Sequence, residues 1–180
     1  MKCEIIRSDR KTISVQIKLD RIIVRAPLRM SDKDIDAFLL EKKAWIDKHV
    51  AVAMQQKKAA EQKLTAAEIR QLADRALKVI PERVRHYAPL VGVTYGRITI
   101  RNQKTRWGSC SSSGNLNFNC LLMLAPPEVL DSVVVHELCH RKEMNHSSRF
   151  YAEVLRVFPE YHKWHKWLKE NGPILLNRMQ

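Results

Sequence analysis

No stretch of this 180-residue chain is apolar for long enough to span a bilayer. Its start, Met1-Lys2-Cys3-Glu4, lacks the apolar core of a secretory signal. These two absences predict a cytoplasmic protein without a membrane partner. The four cysteines, Cys3, Cys110, Cys120 and Cys139, form no C-x-x-C pair and no disulfide-dense spacing. Free thiols in a reducing compartment are therefore expected, rather than a disulfide framework or a cysteine zinc site. There is no internal repeat, and neither a helix-turn-helix nor a zinc-finger spacing is present. Negative charge is scarce: 32 Lys+Arg stand against 19 Asp+Glu, for a net charge of +13. The deficit lies in residues 1–125, with 24 basic and 12 acidic residues, whereas residues 126–180 hold 8 and 7. A basic first two-thirds suits an anionic partner such as nucleic acid, a nucleotide or an acidic peptide. It equally suits a solvated cationic surface with no partner.

What is present is a globular composition, 45% hydrophobic and 28% charged, in a chain long enough for one domain and a small appendage. Its organising stretch is Val133-Val134-Val135-His136-Glu137-Leu138-Cys139-His140, with His146 six residues on. On a helix His136 and His140 leave the same face one turn apart, where two imidazoles can share one zinc ion. Glu137, one position round, is placed to accept a proton from water without ligating. A continuous helix would turn His146 about 240° from His140. The helix must therefore end soon after His140, which the sequence allows: Asn145 tolerates a left-handed conformation at a helix end, and Ser147-Ser148 can cap a new helix. The metzincin pattern H-E-x-x-H-x-x-G-x-x-H is close, but Glu143 stands at its glycine position. Val133–Val135 is β-branched and would suit a strand. Only a helix, however, gathers both histidines and the glutamate at one site.

Elsewhere, residues 3–8, 12–19 and 21–26 read as three short strands forming an antiparallel meander, with turns at Ser8–Lys11 and Leu19–Arg21. Ser31 should cap a helix that runs to about Lys58. Residues 54–63 read as an exposed helix end or linker, dividing 1–62 from 63–180. Thr65-Ala66-Ala67-Glu68 fits a capping box, and Pro81 should kink or restart the helix it opens. Residues 97–102 read as a strand, 103–113 as a loop and 115–124 as a second strand that presents Asn115, Asn117 and Asn119 on one face. Such a strand can hold an extended peptide by strand addition. Pro126-Pro127-Glu128 should open the histidine helix, and Asn171-Gly172-Pro173 should end the last one. His162 and His165, three apart, form a second pair of potential ligands.

The segments TRWGSCSSSGNLNFN at 105–119, VVVHELCH at 133–140 and NHSSRFY at 145–151 resemble the YgjP-like metallopeptidases, zincins related to the SprT and WLM families. The resemblance extends more loosely to the N-terminal strands and to RAPLRMSD at 25–32. It implies an α+β, zincin-like catalytic domain whose H-E-x-x-H helix packs on a small antiparallel sheet. It also implies His136, His140 and His146 as zinc ligands, one Zn2+ per chain, and Glu137 as the acid/base. Tyr151 stands where a tryptophan is expected. Three functions follow as expectations. The first is a zinc metallopeptidase with a peptide or protein substrate, using Asn115, Asn117, Asn119, Arg149 and Tyr151. The second is a metal-dependent nucleotide phosphohydrolase, of nucleoside triphosphate pyrophosphatase type, in which Arg97, Arg101, Lys104 and Arg106 hold phosphates and Trp107 stacks a base. The third is a protease or binding module recruited to nucleic acid, which would show steep salt dependence.

Overall fold

A computed structural model describes residues 2–18 and 21–179. The chain is an α+β protein that divides into two compact units, Met1–Gln62 and Lys63–Gln180.

In the first unit, β1 (Lys2–Ser8), β2 (Ser14–Ile17) and β3 (Arg21–Pro27) form a sheet of order β1-β3-β2. β1 runs parallel to β3 and β2 antiparallel to it, so the expected antiparallel meander is not formed. Burial explains the order. β3 carries the densest apolar run, with Ile23 at 5% and Val24 at 0% exposure on opposite faces, and so takes the centre. The expected turn at Leu19–Arg21 involves Leu19 and Asp20, which lie outside the described residues. Ser31 caps α1 (Asp32–Glu41), its hydroxyl accepting from the Asp34 amide. The long helix expected from Ser31 breaks at Lys42, and α2 (Lys43–Glu61) follows. Val24, Ala26 and Ile35 form this unit's small core.

The second unit begins with α3 (Ala66–Val91), opened by the Thr65–Glu68 capping box. Pro81 and Pro89 lie inside it, and the helix neither restarts nor ends at either. An internal proline costs about 3 kcal/mol. The buried stripe Ala76, Ile80, Val84, Tyr87, Ala88 and Val91 offsets that cost, since a buried Ile or Val side chain contributes about 1.5–3 kcal/mol. Gly92 closes α3 at φ 79°, a conformation that favours glycine.

β4 (Ile98–Arg101), β5 (Gly108–Cys110) and β6 (Leu116–Asn119) form a sheet of order β4-β6-β5. It is mixed rather than antiparallel, because β4 runs parallel to β6 and only β5 is antiparallel. The strand expected over 115–124 stops at Asn119, whose side chain accepts from the Leu121 amide and starts a 3-10 turn at Cys120–Leu124. The expected loop 103–113 contains β5.

α4 (Pro127–Cys139) is buried nearly all round, which is why a β-branched run is helical here. Asp131 on it receives Arg83 Nε at 2.6 Å and the Tyr87 hydroxyl at 3.2 Å. That pairing satisfies a carboxylate buried beside α3. α5 (Ser148–Val157) is capped by Ser147, and α6 (Tyr161–Asn177) runs through the expected stop at Asn171-Gly172-Pro173. Gly172 is buried there against the Trp107 ring, where a Cβ would lie 3.1 Å from Nε1. The half-buried residues beyond it keep the helix packed. Among the described residues, no helix is long and apolar enough to cross a membrane.

Candidate metal centre

α4 delivers His136 and Glu137 and ends at Cys139, with His140 as its C-cap. The chain then turns through Arg141 and Lys142, whose amides bond to the carbonyls of Leu138 and Cys139 at 3.0 Å. Outside glycine, no described residue has a positive φ, so the turn does not use the left-handed conformation that Asn145 tolerates. Consecutive tight turns do the work instead, and the Arg141 guanidinium fastens them to the carbonyls of Thr94 (3.1 Å) and Ser112 (2.9 Å). Ser147 then caps α5 and leaves His146 facing back toward α4.

The three imidazoles stand in a nearly equilateral triangle. Ring centroids are 4.9 Å apart for His136–His140 and His136–His146, and 4.8 Å for His140–His146. One nitrogen of each lies within 4.8 Å of the others. Phe150, fully buried on α5, touches all three rings at 4.6–4.9 Å and fixes their tilt. Sequence reasoning did not single out Phe150 as part of the site. Its position four residues after His146 was the available signal.

The outer nitrogens are occupied. His140 Nδ1–H donates to the Glu143 carbonyl at 3.0 Å, and His136 Nδ1 lies 2.8 Å from the Tyr161 hydroxyl. The inner nitrogens converge, with His136 Nε2 and His146 Nε2 3.0 Å apart. Two donors bound to one tetrahedral zinc at 2.0–2.1 Å would stand about 3.3 Å apart, so the donor set fits such an ion. Among the described residues this three-histidine cluster contains no cysteine, and His162 and His165 do not form a second one.

Burial, then the charges of His140, His146 and His165, hold His136 down to about 3, far below the ordinary imidazole value. His140 is lowered as well, chiefly by burial. Both rings thus stay neutral, as ligation requires. Glu137 is 6% exposed, and burial alone pushes it up to about 8. β5 runs against it: a Cβ on Gly108 would lie 2.6 Å from Glu137 Oε1. Gly108 is a second residue that sequence reasoning passed over, although it sits inside the TRWGSC segment.

A cleft of about 220 Å³ opens here, lined among others by Arg106, Trp107, Gly108, His136, Glu137 and His165. The other expected substrate residues are placed differently. β6 is the central strand, so its backbone is already paired and cannot add a peptide. Asn115 accepts from the Arg97 amide, Asn117 donates to the Ser109 hydroxyl, and the buried Asn119 donates to the carbonyls of Gln103 and Arg106. These asparagines hold the fold. Arg149 is exposed on α5, and the Tyr151 ring stacks 6.2 Å from His146.

The sequence profile described as YgjP-like, metallopeptidase domain, matches residues 11–75 and 53–171, most of the chain. The chain belongs to the YgjP-like metallopeptidase family. It is accordingly a metal-dependent hydrolase. Its fold is similar to two crystal structures of metallopeptidase zymogens. One is abylysin of Pyrococcus abyssi, at 24% identity over 51% of this chain and 94% of that one, with a TM-score of 0.46. The other is jannalysin of Methanocaldococcus jannaschii, at 23% identity over 52% and 97%, with a TM-score of 0.47. No curated protein matches the chain.

Proposed function

We propose that this YgjP-like protein is a cytoplasmic zinc peptidase that holds one ion with His136, His140 and His146 and uses Glu137 as general base. The observation that carries this reading is the triangle of three imidazoles with a buried carboxylate at its side. Zinc in such a site acidifies water and polarises a carbonyl. Glu137 then accepts the water proton and returns it to the leaving amine. Its buried setting supports this role, because a carboxyl raised toward neutrality is matched to both halves of the transfer. A peptide would lie along β5, the edge strand beside Glu137, and pair with its main chain. Trp107, Leu168 and Val133 give the cleft an apolar wall for a side chain next to the scissile bond. Tyr151, whose ring stacks near His146, and the exposed Arg149 are candidates for further substrate contacts.

A second reading is a nucleotide phosphohydrolase, favoured by one observation: the exposed Arg106 and half-buried Trp107 line the same cleft as Glu137. A guanidinium and an indole there would suit a phosphate and a base. Metal analysis of purified protein tests the shared part. One zinc per wild-type chain is expected, with loss in His136→Ala, His140→Ala and His146→Ala and retention in Glu137→Gln. Full zinc content in all three histidine variants would refute the site.

A further inference from the structure

Tyr161 is 2% exposed, yet its hydroxyl sits between two imidazoles. It lies 2.8 Å from His136 Nδ1 on one side and 3.1 Å from His165 Nδ1 on the other. The rings are layered to match: Tyr161 stacks on His136 at 5.9 Å and 15°, and on His165 at 5.2 Å and 27°. His165 lines the cleft together with His136 and Glu137.

A phenol has one proton to give and lone pairs to receive, and a neutral imidazole has one donor and one acceptor nitrogen. The chain His136–Tyr161–His165 can therefore run in either of two directions, and each direction fixes both histidine tautomers together. Building on the zinc site proposed above, we infer that Tyr161 is a positioning residue that couples ligation at His136 to the tautomer of His165. His165 then presents an Nε2–H donor to the cleft. If His136 Nε2 faces the metal, as its 3.0 Å approach to His146 Nε2 indicates, its proton is on Nδ1. That N–H donates to the Tyr161 oxygen. The Tyr161 proton is then donated to His165 Nδ1, and the remaining proton of His165 lies on Nε2. Without a metal the opposite direction is equally open, and His165 would carry a mixture. The loaded site thus sets a neutral donor beside the reacting group, where negative charge develops on an acyl or phosphoryl oxygen. No bond is made or broken in this coupling, and it holds for either substrate class.

Long-range proton–nitrogen spectra of protein labelled with ¹⁵N-histidine read the tautomers directly. The His165 signal is assigned by its loss in His165→Ala. Zinc-loaded wild type should show His165 as the Nε2–H tautomer, and chelated wild type should show a mixture. Tyr161→Phe should keep bound zinc with affinity lowered about 10–100-fold, and its His165 should return to a mixture even when loaded. The zinc-loaded and chelated wild-type spectra decide the matter even if Tyr161→Phe does not fold. A predominantly Nδ1–H His165 in the loaded wild type, or identical tautomers with and without zinc, would overturn the coupling. Failure of the wild type to bind zinc, read separately from metal content, would overturn the proposed site and this inference with it.

Discussion

The buried carboxyl of Glu137 has a measurable consequence for the metal-free protein. Burial raises it from 4.5 to about 8, so the folded chain keeps a proton there that the unfolded chain releases. Stability is then fully present below pH 4.5 and is lost as pH rises toward 8. His136 works in the opposite direction over a lower window. Its value falls from 6.5 to about 3, so its stabilisation is present above 6.5 and is lost as pH falls toward 3. The two slopes cancel between 4.5 and 6.5, leaving Glu137 dominant from 6.5 to 8. One proton over that interval is worth about 2 kcal/mol, at about 1.4 kcal/mol per pH unit. This corresponds to about 4–8 °C in Tm for a protein of this size. Glu137→Gln removes the Glu137 slope and leaves all others. Calorimetric scans with a chelator should therefore show the Tm of Glu137→Gln minus that of wild type widening from acid pH to pH 8. Zinc should shrink the difference, because a nearby cation favours the carboxylate. A difference independent of pH, or a variant that loses stability faster as pH rises, would refute the assignment.

Phe150→Ala should destabilise the protein by about 3–5 kcal/mol and weaken zinc binding, since one ring supports all three histidines. Chemical denaturation of the chelated protein separates the two effects. Gly108→Ala should cut turnover far more than it lowers Tm, because its methyl would meet Glu137 Oε1 at the edge of the cleft. Asp131→Ala should cost about 1–3 kcal/mol, because it removes the acceptor of Arg83 and the Tyr87 hydroxyl while water can still reach the half-exposed Arg83, and the zinc content of the folded fraction should stay unchanged.

The gathering of His136, His140 and His146 was readable because it is local. The spacing of His136 and His140 needs only a helix, and Ser147 announces the restart that turns His146 back. Most strands and helices were readable from their periodicities, and the α+β class was what the family resemblance implied. Sheet topology was not readable, because period-two patterns mark strands but not neighbours. β3 takes the centre of its sheet through burial on both faces, which appears only once α1 packs on it. Pro81 and Pro173 look like stops in the sequence, yet they lie in helices whose tertiary burial outweighs the lost hydrogen bond. Strand addition on β6 was misread for a related reason. Alternation separates two faces, but it cannot tell an open strand edge from one already paired to β4 and β5. Gly108 and Tyr161 act through the lack of a side chain or through contacts distant in sequence, and no motif spacing marks either.

The most direct test of the central claim is to digest a proteome-derived peptide library with zinc-loaded wild type and zinc-loaded Glu137→Gln and to identify new termini by mass spectrometry. Nucleoside triphosphates serve as the parallel substrate. The account predicts peptide cleavage by the wild type, none by the variant, and equal zinc in both. Cleavage that survives in Glu137→Gln, or phosphate release with no peptide cleaved by the wild type, would contradict it.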